Sequence, residues 1–266
     1  MDIHKGLGNA NKLMNRILFE LDLKFTLRIH SIDGGGLRNA IPRESKAVIM
    51  LDDDKALSLV TDLAALLKEE YRTTDPSLEI SIEKTDSVTE VLNPFFQEKL
   101  LRGIYAIPSG IYRMSSDIEG LVQSSNNLAR VEVKDGQYSI LCLTRSSVDT
   151  EKKDLSNVIG SAMSLIGAEV TQGGSYPGWT PKPDAPIIKL MSDLYEKKYN
   201  EKPHVNACHA GLECGIIGTN YPSMDMVSFG PNIRGAHSPD ERVQISSVQK
   251  YWDYFLDTLQ AIPSKN

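Results

Sequence analysis

The chain has 266 residues, 41% of them hydrophobic and 24% charged, close to the globular average, so neither wholesale disorder nor a fibrous repeat is needed to explain it. Domains typically hold about 100–150 residues, so this length suits two modest domains. A net charge of −6 with both signs interspersed leaves no basic stripe for nucleic acid. Apolar runs such as residues 56–67 fall short of the roughly 20 residues that span a membrane, and the N-terminus lacks a signal-peptide layout.

In chain order, the turn-like Gly6-Leu7-Gly8-Asn9 leads into a helix over 10–21 with Leu13, Ile17, Leu18 and Leu21 at helical spacing. Residues 25–32 alternate as a strand, Asp33-Gly34-Gly35-Gly36 breaks it, and 44–51 give a second strand with Ala47, Val48, Ile49 and Met50. Asp54 caps a helix over 54–71 whose stripe is Leu57, Val60, Leu63, Leu66 and Leu67, and residues 78–83 alternate as a third strand. With one more strand ahead of Met1 this order would be a ferredoxin-like layer, an antiparallel sheet with helices on one face, so its first strand is expected to be missing.

Residues 93–105 read as a helix, followed by a turn at Pro108-Ser109-Gly110 and strands over 128–133 and 138–143, joined by the hairpin signal Asp135-Gly136. A helix over 154–166 follows. The densest breaker cluster, Gln172 to Gly178 with further prolines to Pro186, divides the chain into 1–173 and 174–266. Beyond it come a helix over 187–199, a strand over 205–208, a helix over 211–217, a strand over 226–229 and an amphipathic helix over 244–261 presenting Val248, Trp252, Phe255, Leu256 and Leu259. That is an α/β pattern, too short for a complete layer.

The three cysteines, Cys142, Cys208 and Cys214, show no CxxC spacing and are odd in number, which argues against a disulfide framework and for a cytoplasmic protein. Cys208 next to His209 makes a poor nucleophile and base, since adjacent strand residues point to opposite faces.

Four segments in this order resemble the aminoacyl-histidine dipeptidases (Xaa-His dipeptidase, peptidase D) among the co-catalytic zinc metallopeptidases. They are residues 4–11 (HKGLGNAN), 34–44 (GGGLRNAIPRE), 209–215 (HAGLECG) and 230–242 (GPNIRGAHSPDER). The resemblance implies an α+β lid or dimerisation domain over 1–173, followed over 174–266 by the C-terminal part of an α/β zinc-peptidase catalytic domain. It also implies that the segment supplying most metal ligands and the catalytic glutamate lies upstream. The implied activity is hydrolysis of dipeptides, preferentially Xaa-His, at two zinc ions, with the lids pairing in a homodimer. The chain alone is then expected to be inactive. The alternative is a non-enzymatic dimerisation module, or a half that complements a separate N-terminal segment.

The resemblance also assigns residues. By spacing alone His237 reads as a surface histidine on a turn, whereas the family places its last zinc ligand there, and neutral imidazole suits that metal. Gly211, otherwise a turn glycine, matches a position where backbone approaches the substrate's carboxylate. Arg145, otherwise a solvated arginine, matches an arginine that grips that carboxylate through its bidentate fork. Asn39, otherwise a turn asparagine, matches an amide that helps bind substrate and stabilise the tetrahedral intermediate. Glu213, four residues after His209, is the weaker candidate for a metal role.

Overall fold

Asn9 starts the first helix because its side chain accepts hydrogen bonds from the Asn11 and Lys12 amides, two of the donors that a helix start leaves without partners. In the computed structural model, which describes residues 3–51, 53, 55–207, 213–235 and 241–263, this helix is α1 (Ala10–Lys24). The chain divides into two compact units, Met1–Ser175 and Tyr176–Asn266, and the break falls inside the glycine- and proline-rich segment.

The first unit is α+β. After α1 come β1 (Leu27–Gly35), β2 (Ser45–Leu51), α2 (Lys55–Glu70), α3 (Pro94–Ala106), β3 (Gly110–Met114), β4 (Val122–Lys134), β5 (Gln137–Ser146) and α4 (Asp149–Leu165). All strand pairs are antiparallel, in the order β2-β1-β4-β3 with β5 also on β4. Since β5 runs along β4 from Ser124 to Lys134, β1 and β3 share β4's other edge, β3 along 122–126 and β1 along 130–133. Asp135 and Gly136 turn β4 into β5 with φ of 51° and 71°, the left-handed pair that suits the twist of a two-residue hairpin.

The helices cover one sheet face. Leu13, Ile17, Leu18 and Leu21 of α1 join Leu27, Ile29 and Ile32 of β1, Leu128, Val131 and Val133 of β4, and Leu100, Leu101 and Ile104 of α3 in one core. Burying a leucine or isoleucine of this kind stabilises the fold by roughly 1.5–3 kcal/mol. The ammonium of Lys12 ties α1 to the end of α3, donating to the Ile104, Tyr105 and Ile107 carbonyls at 2.9, 2.8 and 2.9 Å. A cation at the carbonyl-rich end of a helix meets the negative pole of its dipole.

Several expectations change in this unit. The triple glycine does not break β1 before Asp33, because Gly34 and Gly35 continue the strand and pair with Val131 and Arg130. Residues 78–83 form no strand and pair with none among the described residues, although Leu78 and Ile80 still pack on the core. Strand β4 extends six residues ahead of the expected apolar run, and β3 was not expected. On α2, Leu57 and Leu66 are exposed while Ala56, Val60, Leu63 and Leu67 are buried; Asp54 lies outside the described residues.

The second unit holds α5 (Pro186–Tyr199), α6 (Glu213–Asn220), the short hairpin of β6 (Ile233–Arg234) and β7 (Arg242–Val243), and α7 (Ile245–Ala261). Tyr254 of α7 is buried and donates through its hydroxyl to the Met191 carbonyl of α5 at 2.6 Å, with Tyr195 and Tyr199 packed against its ring. Residues 205–207 and 226–229 are not strands, because a strand needs a neighbour for its amides and carbonyls, and among the described residues of this unit only β6 and β7 pair. The apolar stripe expected on α7 is real but turned outward: Val248, Trp252, Leu256 and Leu259 are exposed, while Tyr254 and Thr258 make the buried side.

Candidate functional site

Along the edge of β4 that β1 and β3 share, residues 127–129 have no strand partner, and side chains satisfy the backbone there. The Leu128 carbonyl accepts from Asn9 Nδ2 at 3.0 Å, and the Leu128 amide donates to Ser109 Oγ at 3.2 Å. The 36–43 loop between β1 and β2 is fastened beside this gap. The Gly35 amide donates to the Glu44 carbonyl, the Ala10 amide donates to the Pro42 carbonyl, and Arg130 donates to the Gly35 carbonyl while pairing with Asp33 and Glu132. Gly35 has to be a glycine: its φ is +75°, and a Cβ there would lie 2.0 Å from the Ala129 carbonyl oxygen.

Asn39 sits at the third position of a tight turn closed by the Ala40 amide on the Leu37 carbonyl at 3.1 Å. The turn is exposed, and the Asn39 side chain makes no hydrogen bond among the described residues, so its amide is available to a ligand. Beneath it, the buried Asn127 donates to the Arg38 and Ala40 carbonyls at 3.2 and 2.7 Å.

Arg145, near the end of β5, pairs with Ser125, and Asn127 pairs with Leu143. Ser125 and Asn127 are two apart on one strand, so by the alternation of side chains they share the sheet face away from the helices with Arg145. At about 3.4 Å per residue, the backbone of Arg145 is therefore offset about 7 Å along the strand direction, and one strand across, from that of Asn127. Arg145 is half-buried as a residue, and its side chain has no ion pair or hydrogen bond among the described residues. Asn39 and Arg145 thus flank the same stretch of β4 from its two opposite edges. Gly211 and His237 lie outside the described residues, as do Cys208 and His209; Glu213 is the exposed first residue of α6.

The helix-covered face carries no chemistry of this kind. Burial pushes the Cys142 thiol up to about 11, so it is no nucleophile at neutral pH. Burial likewise lowers the pKa of Lys12. Glu151, in the first turn of α4, accepts from Gln123 Nε2 at 2.8 Å, Ser124 Oγ at 2.9 Å and Arg113 at 2.7 Å. The Gln123 hydrogen bond, outweighing desolvation and helped by Ser124 and Arg113, holds its carboxyl below the usual range. No group of three or more His, Cys, Asp or Glu that could hold a metal ion occurs among the described residues, so those residues do not by themselves fit a two-metal centre. No helix among them is long and apolar enough to cross a membrane.

Sequence reasoning passed over Asn9, Asn127 and Arg130. The signal that could have found Asn127 is the polar run Gln123-Ser124-Ser125-Asn126-Asn127 leading straight into the apolar part of a strand, since five consecutive buried polar residues need partners.

A family model described as Peptidase family M20/M25/M40 matches residues 7–261. The chain is 39% identical over 267 residues to the cytosol non-specific dipeptidase of Escherichia coli (strain K12), covering 99% of this chain and 55% of that protein. It is 21% identical over 128 residues to the succinyl-diaminopimelate desuccinylase of Sulfurovum sp. (strain NBC37-1), covering 48% of this chain and 34% of that protein. Among solved structures, the aminoacylhistidine dipeptidase from Vibrio alginolyticus matches all of this chain with a TM-score of 0.90 at 39% identity, and the match covers 55% of that chain. The chain thus spans about half the length of the two dipeptidases that it matches along its whole length.

Proposed function

The chain belongs to peptidase family M20/M25/M40, and from that membership we propose that it is part of a cytoplasmic dipeptidase that prefers Xaa-His substrates. The first unit would act as the lid and dimerisation domain, and the second as the C-terminal part of the catalytic domain. Two zinc ions are the proposed cofactor, with His237 the ligand from this chain and the others in the part of the relatives' length that it does not span.

The observation that supports this reading is Arg145, half-buried and without a side-chain hydrogen bond or ion pair among the described residues, on β5 next to the stretch of β4 whose Asn127 holds the Asn39 turn. A guanidinium left without a carboxylate in a half-buried setting suits an incoming one, such as the C-terminus of a dipeptide. Asn39, from its exposed turn, would donate to the scissile carbonyl oxygen as negative charge develops there. Gly211 would let backbone approach the substrate's carboxylate.

The test compares turnover of a dipeptide ending in histidine with one ending in alanine, using this chain with added zinc and the full-length enzyme that carries it. The expected result is turnover only by the full-length enzyme, with at least tenfold higher kcat/KM for the histidine dipeptide. Robust turnover by this chain alone would sink the division of labour, and equal turnover of both substrates would sink the specificity.

A second reading, a dimerisation or complementation module without activity of its own, is favoured by the exposed Trp252 (54%) and Leu259 (51%) on α7 and by β5, whose outer edge has no strand among the described residues. Light scattering at tens of micromolar tests it, and a strict monomer that also fails to bind the missing half of a relative counts against it.

A further inference from the structure

We infer that Asn127 is a positioning residue for Asn39, an inference that rests on the substrate-binding reading of Asn39 and Arg145. Its side chain is 7% exposed, yet both hydrogen bonds from its amide nitrogen go to an exposed turn, one to the Arg38 carbonyl and one to the Ala40 carbonyl on either side of Asn39. Its oxygen accepts from Asn9 Nδ2 at 3.2 Å, and Asn9 is itself immobilised as the cap of α1. That acceptor contact fixes which way the Asn127 amide faces, so its nitrogen can only point at the turn.

A core amide that served the sheet alone would satisfy groups of its own layer. The neighbouring Asn126 does so in part, accepting from Thr144 of β5, while its nitrogen donates to the Pro108 carbonyl just ahead of β3. Asn127 instead holds a turn whose residues 37–40 are all exposed and contribute nothing to the core. What the contact fixes is where the Asn39 turn stands relative to Arg145, whose partner Ser125 lies two residues from Asn127 on β4. An aspartate at this position keeps the shape but presents oxygen to two carbonyls, so it should release the turn as alanine does.

Hydrogen exchange on the purified chain reads the turn directly through the Ala40 amide. Asn127→Ala and Asn127→Asp should speed its exchange about 30-fold, the scale set by losing two ordinary hydrogen bonds. The paired amides of residues 130–133 should stay within about threefold of the parent. Unchanged Ala40 exchange, or an equal rise along β4, overturns the inference.

In the full-length enzyme, Asn39→Ala and Asn127→Ala should each lower kcat more than they raise KM, and the double variant should be no slower than Asn39→Ala alone. Multiplicative losses in the double variant overturn the positioning role. Unchanged kinetics in Asn39→Ala overturn the substrate reading instead, and are told apart because the exchange measurement still reports the loosened turn.

Discussion

Replacing Gly35 with alanine should destabilise the first unit by about 3–4 kcal/mol, whereas the same change one residue later should be nearly silent. An L-residue at φ +75° costs about 1–2 kcal/mol in backbone energy. The new methyl would stand 2.0 Å from the Ala129 carbonyl oxygen and 3.1 Å from Pro42 Cγ, so β1 must move away from β4 by more than an ångström, taking an ordinary contact as about 3.2 Å. That movement opens the last β1–β4 pair, Gly35 with Arg130, and the Arg130 hydrogen bond to the Gly35 carbonyl, at about 1 kcal/mol for each bond. Gly36 has nothing within 4 Å of an added Cβ and no positive φ, so Gly36→Ala should fall within about 0.5 kcal/mol of the parent. Thermal and urea unfolding followed by far-ultraviolet circular dichroism checks both. For a unit of this size the expected drop in Tm is about 10 °C for Gly35→Ala. A Gly35→Ala midpoint within 2 °C of the parent, or a Gly36→Ala variant just as damaged, refutes the steric reasoning.

Lys12→Ala removes the one side chain that serves three carbonyls at the end of α3, and should cost about 2–3 kcal/mol in urea midpoint analysis; a loss below about 0.5 kcal/mol would mean that water replaces the ammonium freely. Glu151 has a depressed folded pKa, so its contribution is fully present above the unfolded carboxylate range and is lost as pH falls through the folded value. Stability of the parent should therefore fall more steeply below about pH 4.5 than that of Glu151→Gln, and parallel acid titrations of the two would contradict this. Arg145→Ala breaks no side-chain hydrogen bond or ion pair among the described residues and should leave the unfolding midpoint within about 0.5 kcal/mol, while in the full-length enzyme it should raise KM for a dipeptide at least tenfold. A large stability loss with unchanged KM would make Arg145 a structural residue.

The helices were legible from periodicity, since the leucines of α1 recur at the spacing that buries them, whereas the start of α4 was not: it begins at Asp149 with no side-chain cap, five residues ahead of the expected 154. The Asp135-Gly136 turn was legible, since two left-handed residues in a row admit few side chains. The polar half of β4 was not, because alternation of apolar and polar residues is the usual mark of a strand, and Gln123 to Asn127 are buried by hydrogen bonds. Residues 78–83 misled in the opposite sense: they alternate well, but pairing is a property of a neighbour that local sequence does not describe. Asn39 was singled out within the family segment 34–44 and Arg145 by its match to a family arginine outside the four segments. How the two are placed depends on the β4–β5 register and on Asn127, and contacts across a sheet leave no trace in the spacing of either residue.

The two edges of β4 differ in how far apart in the chain their partners are. Its pairing with β5 closes through a two-residue turn and runs over ten positions, so this hairpin can zip locally on a microsecond scale. Its pairing with β1 joins residues 95 apart, as Gly35 and Arg130 are, and carries the entropy of closing that long loop. The Asn39 turn needs both, since Asn127 is fixed by the hairpin while Arg38 and Ala40 arrive with β1. The polypeptide must therefore finish its slowest closure before this corner of the molecule exists, and a partly folded chain, however much helix it contains, has not yet set the Asn39 turn on Asn127.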